Sequence, residues 1–97
     1  MSAPSKAPRT LLLNPADNVI VAVDTVSQGT VVNAVTAAER IPRGHKMAVK
    51  PVAKGEALRK FGQIIGFASE AISPGRHVHT QNCAFGEFDR DYAFAKD

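Results

Sequence analysis

Apolar positions along most of this chain come in short runs broken by glycine, proline and asparagine, as in short strands separated by turns. Val19-Ile20-Val21-Ala22-Val23 follows the turn-forming Asn14-Pro15-Ala16-Asp17-Asn18, reads as a buried strand and ends at Asp24. Thr30-Val31-Val32, Val35-Thr36 and Met47-Ala48-Val49 continue the strand signal, and Gly62-Gln63-Ile64-Ile65-Gly66 gives a glycine-bracketed strand that Phe67-Ala68 extends. An aliphatic residue stands three before a glycine in Val26 and Gly29, Ile41 and Gly44, Val52 and Gly55, and Ile72 and Gly75. Each glycine precedes a strand start. The spacing is too irregular for a solenoid or propeller, so the rhythm reads as one turn geometry recurring inside a compact β domain. Residues 56–61 are the most helix-like part, one or two turns with Leu58 and Phe61 on one side. Residues 34–40 have a helical composition, but the proline and glycine around them argue against a long helix. The expected class is all-β, mainly strands with one or two short helical turns.

Length adds that 97 residues suit one domain with a limited core. No apolar run is long enough for a transmembrane helix. Residues 1–9 are small, polar and proline-rich, and Leu11-Leu12-Leu13 is too short for the apolar region of a secretory signal. A cytoplasmic protein with a flexible start over residues 1–10 is expected. Cys83 is the only cysteine, which excludes an internal disulfide and any CxxC metal site; it reads as a small buried apolar residue.

The formal charge of +3 is unevenly spread. Between residues 40 and 60, Arg40, Arg43, Lys46, Lys50, Lys54, Arg59 and Lys60 stand against Glu56 alone. Such a block suits a small carboxylate or a phosphate, or is simply a solvated face. It lacks the interleaved aromatics that would stack on bases, so nucleic acid is not an expected partner.

Two stretches carry candidate chemistry. In Ile41-Pro42-Arg43-Gly44-His45-Lys46, Pro42 and Gly44 make a corner that delivers an imidazole and an ammonium to the start of a strand. The plain alternative is a His45 that hydrogen-bonds its own turn beside a solvated Lys46. In His77-Val78-His79, strand alternation puts both imidazoles on one side with Val78 turned into the core. Two such histidines are part of a divalent-metal site, and His45 is the third ligand if the fold brings the two turns together. Otherwise they are a surface pair flanking a core valine. Gln81 and Asn82 follow as neutral groups suited to hydroxyls or to a strand end.

The succession Asp17-Asn18-Val19, Gly44-His45-Lys46, Gly55-Glu56, Phe61-Gly62-Gln63-Ile64-Ile65-Gly66, Pro74-Gly75-Arg76-His77-Val78-His79 and Asn82 resembles the N-terminal SAF-type domain of the altronate and galactarate dehydratase family. The resemblance implies a β-clip fold over residues 11–82, with residues 83–97 as a tail or linker. It implies a role in dehydrating sugar acids, with a divalent metal, iron(II) or manganese(II), bound together with a larger catalytic partner. Related two-gene systems carry such a domain on its own polypeptide, as in the small subunit of sulfolactate sulfo-lyase. Alone the chain is expected to be inactive, as a natural small subunit or as one domain of a carbon-oxygen lyase. Water elimination from a hydroxy acid needs a base, an acid or metal at the leaving hydroxyl, and a cation for the carboxylate. His45 and Lys46 are the catalytic candidates, Arg43, Arg76 and Asn82 the substrate-binding ones, and His45, His77 and His79 the metal ligands. The other class considered is a non-catalytic module that binds a small anion or sugar. In the tail, Phe85, Phe88 and Tyr92 form a helical stripe that either joins the core or docks on the large subunit or a second copy of the chain.

Overall fold

The computed structural model describes residues 7–84, and among them there is no helix. The aromatic stripe of the tail lies outside the described residues. Nine short strands form three layers, all paired antiparallel. The central sheet runs in the order β1 (Thr10–Leu11), β2 (Val19–Ala22), β5 (Lys46–Ala48), β8 (His77–Val78). On one side lies the hairpin of β3 (Val31–Val32) and β4 (Val35–Thr36). On the other lies a three-stranded sheet of β6 (Ala57–Lys60), β7 (Gln63–Ala68) and β9 (Cys83–Ala84). Strand pairing therefore begins at Thr10 and ends at Ala84, slightly outside residues 11–82.

Because the central sheet is covered on both faces, β2 needs apolar residues on both, and its unbroken Val-Ile-Val-Ala run supplies them. Val19 joins Ala48, Val52, Leu58, Ala68, Ile72, Val78 and Cys83 in one core cluster. Ile20 joins Ala22, Val26, Val32, Ala37, Ile41 and Met47 in the other.

The aliphatic-to-glycine rhythm is the repeating joint of this architecture. Val26 bridges Ile41, and Val52 bridges Ile72. After each, a turn closes from residue i+3 to residue i: Thr30 N to Ser27 O, His45 N to Pro42 O, Glu56 N to Ala53 O, Arg76 N to Ser73 O. The glycine of each turn donates its N–H to an alanine carbonyl on a neighbouring segment: Gly29 to Ala37, Gly44 to Ala22, Gly55 to Ala68, Gly75 to Ala48. That alanine donates back to the residue after the glycine. All four alanines are buried.

Residues 56–61 are not helical, contrary to the expectation from sequence. Ala57–Lys60 is strand β6, which pairs with β7 across the Phe61-Gly62 turn, where both residues have positive φ. A one- or two-turn helix has no length over which to recover its nucleation cost, while the hairpin has two outside supports. Asn18 accepts from Arg59 N and donates to Ala57 O at the bulge. The buried Asp17 carboxylate accepts from Phe61 N and Gly62 N, both at 2.7 Å. Leu58 is fully buried whereas Phe61 is exposed, so the two do not share a face.

Two stability predictions follow from these joints. A Cβ on Gly75 would lie 2.2 Å from Thr36 O, whereas one on Gly55 meets nothing within 4 Å although both have positive φ. Gly55→Ala is expected to cost about 1–2 kcal/mol and Gly75→Ala at least twice as much, measured by urea unfolding. Asp17→Ala leaves the part-buried N–H groups of Phe61 and Gly62 without their acceptor and is expected to cost about 1–3 kcal/mol by the same assay.

Candidate metal centre

The β2–β5–β8 register builds the site. Lys46 stands opposite Val78 and Met47 opposite His77 in the β5–β8 ladder, so continuing it puts His45 opposite His79. His45, Met47, His77 and His79 then share one face, the hairpin side, and Val78 points into the opposite core, fully buried. His45 arrives through the Pro42–Gly44 turn, held by Gly44 N to Ala22 O at 2.7 Å and Ala22 N to His45 O at 2.8 Å.

The three rings gather closely with nearly parallel planes, His45 meeting His77 edge to edge. His45 and His79 have centroids 4.1 Å apart, His45 and His77 5.0 Å, His77 and His79 5.6 Å, with planes within 19° of parallel. His45 Nδ1 lies 2.8 Å from His77 Nε2 and shares a hydrogen bond with it. One nitrogen from each ring can be chosen so that all three lie within 4.8 Å of one another. This is the single group of three metal-capable side chains among the described residues. The two sequence stretches meet: His77 and His79, half-buried on either side of the fully buried Val78, lie against His45.

Burial lowers the pKa of His45 from its ordinary value, and the charges of His79 and Lys46 lower it further. Burial is also the main cause for His77, assisted by His45 and opposed by Glu39. Both rings are thereby biased toward the neutral form that offers a lone pair.

The remaining candidates are placed less centrally. Lys46 stands one residue from His45 in extended chain and so takes the opposite face of the sheet; its charge still reaches His45, His77 and Cys83. The imidazole and ammonium read as side by side are separated by alternation. Arg43 is exposed at the turn, with its backbone N–H on Thr25 Oγ1. Arg76 is exposed and its Nε pairs with Glu39 Oε2 at 2.9 Å. Asn82 is buried, donating to His77 O at 2.8 Å and accepting from His79 N at 3.1 Å, so its amide is committed to the backbone of the histidine strand. Gln81 Nε2 lies 3.3 Å from His77 Nδ1. Burial raises the Cys83 thiol pKa, in keeping with a small core residue.

Glu39 was not singled out from sequence. Its Oε2 accepts from His77 N at 3.0 Å as well as from Arg76, and these contacts hold its pKa below the usual carboxylate value. It lies 38 positions from His77 in a stretch of helical composition, where no local pattern marks it.

The chain is an all-strand domain that gathers three imidazoles at one sheet edge. A family model, the altronate/galactarate dehydratase SAF domain, matches residues 8–85, and the chain belongs to that family. It is similar to an altronate dehydratase of Escherichia coli (strain K12), 37% identical over 90 residues, covering 88% of this chain and 18% of that protein. An altronate dehydratase of Bacillus subtilis (strain 168) is 32% identical over 74 residues, 72% of this chain and 15% of the relative. The (2R)-sulfolactate sulfo-lyase subunit alpha of Paracoccus pantotrophus is 42% identical over 48 residues, 50% of this chain and 72% of that subunit. The chain thus spans less than a fifth of the altronate dehydratases it matches.

The lowered histidine pKa values set a direction with pH. Below the ordinary value of 6.5 the unfolded chain binds more protons at these positions than the folded one, so stability falls as pH drops from there through the folded values. The urea midpoint is expected to fall between about pH 7.5 and about pH 5, and the His45→Gln/His77→Gln double variant to show a flatter dependence. Ring NMR titrations of His45 and His77 with midpoints at or above 6.5 would contradict this.

Proposed function

We propose that this chain is the small subunit or N-terminal domain of a metal-dependent sugar-acid dehydratase of the altronate/galactarate type, acting in the cytoplasm. It contributes metal and substrate contacts to a larger catalytic part and is inactive alone. The observation that carries this reading is the convergence of His45, His77 and His79 on one face of a domain of this family.

The donor set suits a divalent transition metal. Imidazole nitrogens on a tetrahedral ion, with bonds of about 2.0–2.1 Å, stand roughly 3.4 Å apart. His45, His77 and His79 would each hold such an ion by one ring nitrogen, the His45–His77 hydrogen bond being given up. Of iron(II) and manganese(II), three imidazoles and no carboxylate favour iron(II). When bound, the ion supplies Lewis-acid polarisation of the leaving hydroxyl. His45 holds or moves a proton at its ring nitrogen. Arg43 and Arg76 widen the positive rim for a carboxylate, and Lys46 adds its field from the other face.

A second reading, the small subunit of a sulfolactate sulfo-lyase, is favoured by the match that covers 72% of a subunit-alpha polypeptide. The deciding experiment is co-expression with the large catalytic part and an elimination assay on aldonates, aldarates and sulfolactate with iron(II) or manganese(II). Turnover of an aldonate or aldarate is expected, and His45→Ala should lower kcat by about 10²–10⁴-fold. Activity within a few-fold of the parent would remove His45 from the chemistry. A partner-bound chain that turns over none of these acids would point to a non-catalytic binding module.

A further inference from the structure

Among the described residues strand β8 is an edge strand, so one side of its backbone has no described strand to pair with. Arg76 and Val78 face β5: Ala48 N donates to Arg76 O, and Val78 stands opposite Lys46. The polar groups of His77 and His79 therefore point outward, and every one of them is met. Glu39 Oε2 accepts from His77 N at 3.0 Å. His77 O accepts from Asn82 Nδ2 at 2.8 Å and from Gln81 Nε2 at 3.2 Å. His79 N donates to Asn82 Oδ1 at 3.1 Å, and His79 O accepts from the backbone N–H of Asn82 and of Cys83. One carboxamide thus spans His77 O and His79 N as the peptide of a neighbouring strand would.

We propose that Asn82, assisted by Glu39, is a positioning residue that stands in for a missing fifth strand and fixes His77 and His79 at the spacing that makes them one site with His45. Placement supports a purposeful brace. Asn82 is only 4% exposed and both ends of its amide are used. Glu39 reaches His77 because the backbone of Thr36 and Ala38 lies against Gly75, with Ala38 N donating to Gly75 O at 2.8 Å; a side chain on Gly75 would push that segment away. The hydrogen bonds that Asn82 and Glu39 make to the histidines all go to backbone groups. Asn82 therefore acts through the backbone of its two clients, as outer-shell partners of metal ligands do.

This inference rests on the metal reading above for one of its two readouts, and the test separates them. Cobalt(II) is titrated into the full 97-residue chain and its d–d absorption followed, while backbone-amide exchange at His79 and the ring NMR signals of His45 and His77 are read without metal. Asn82→Ala is expected to weaken cobalt(II) binding about 10- to 100-fold, to alter the d–d bands, to speed exchange at His79 and to abolish the shared His45–His77 ring hydrogen bond. Asn82→Asp keeps the acceptor for His79 N and loses the donor to His77 O, so it should fall between. It also serves as the decisive variant if the alanine form does not fold. Glu39→Gln, which retains an oxygen for His77 N, should bind within a few-fold of the parent. Parental affinity and d–d bands in both Asn82 variants would overturn the proposal. If the parent chain takes up no cobalt(II), its three imidazoles do not hold a metal without the larger catalytic part, and amide exchange at His79 with the shared ring hydrogen bond decides the brace alone: faster exchange and loss of that bond in the Asn82 variants support it, and parental behaviour overturns it.

Discussion

A glycine in a tight turn that exchanges two backbone hydrogen bonds with a buried alanine is the joint on which this molecule depends. It occurs at Gly29, Gly44, Gly55 and Gly75, with Ala37, Ala22, Ala68 and Ala48 as its counterparts. The small side chain on one partner and its absence on the other let the two backbones meet inside the core, where each N–H and C=O must find a mate. Strands of two to six residues are too short to be stable singly. Four such joints, two aliphatic bridges and the Asp17–Asn18 clasp on the β6–β7 hairpin hold nine of them in register.

The same joint makes the site. Gly44 sends the chain into β5 with His45 on the hairpin face, and Gly75 sends it into β8 with His77 and His79 on that face. Since β5 and β8 are neighbours, two copies of one turn, each followed by histidine one or two positions on, place three imidazoles together. Alternation that unites them also excludes Lys46, whose neighbour in sequence is His45 but whose neighbour in space is Val78.

Much of this was legible because it is local. The strand at residues 19–22, the repeated glycine turns and the inward Val78 follow from patterns a few residues long, and period-two spacing put His77 and His79 on one side. The misreading at residues 56–61 had the opposite cause: helix-forming composition was overruled by Asp17 and Asn18, some forty positions earlier in the chain. Glu39 was invisible for the same reason, since its meaning lies in His77, on another strand. Asn82 was visible as a polar residue at a strand end. That both halves of its amide are spent on backbone, leaving little for a hydroxyl of substrate, depends on the conformation of residues 77–82.

Electrostatics then constrain what the proposed centre accepts. Three neutral imidazoles would leave the charge of a divalent ion uncompensated, and the carboxylate of Glu39 is already engaged by His77 N–H and Arg76. Lys46 adds positive charge from the other face, while Arg43 and Arg76 stand exposed among the same turns. A neutral ligand would leave that excess positive charge in a half-buried setting, where it is costly. A carboxylate on the ligand removes one unit of it. At this edge the outward-facing backbone of His77 and His79 is already fully paired, so whatever approaches the three rings meets side chains and not an open strand.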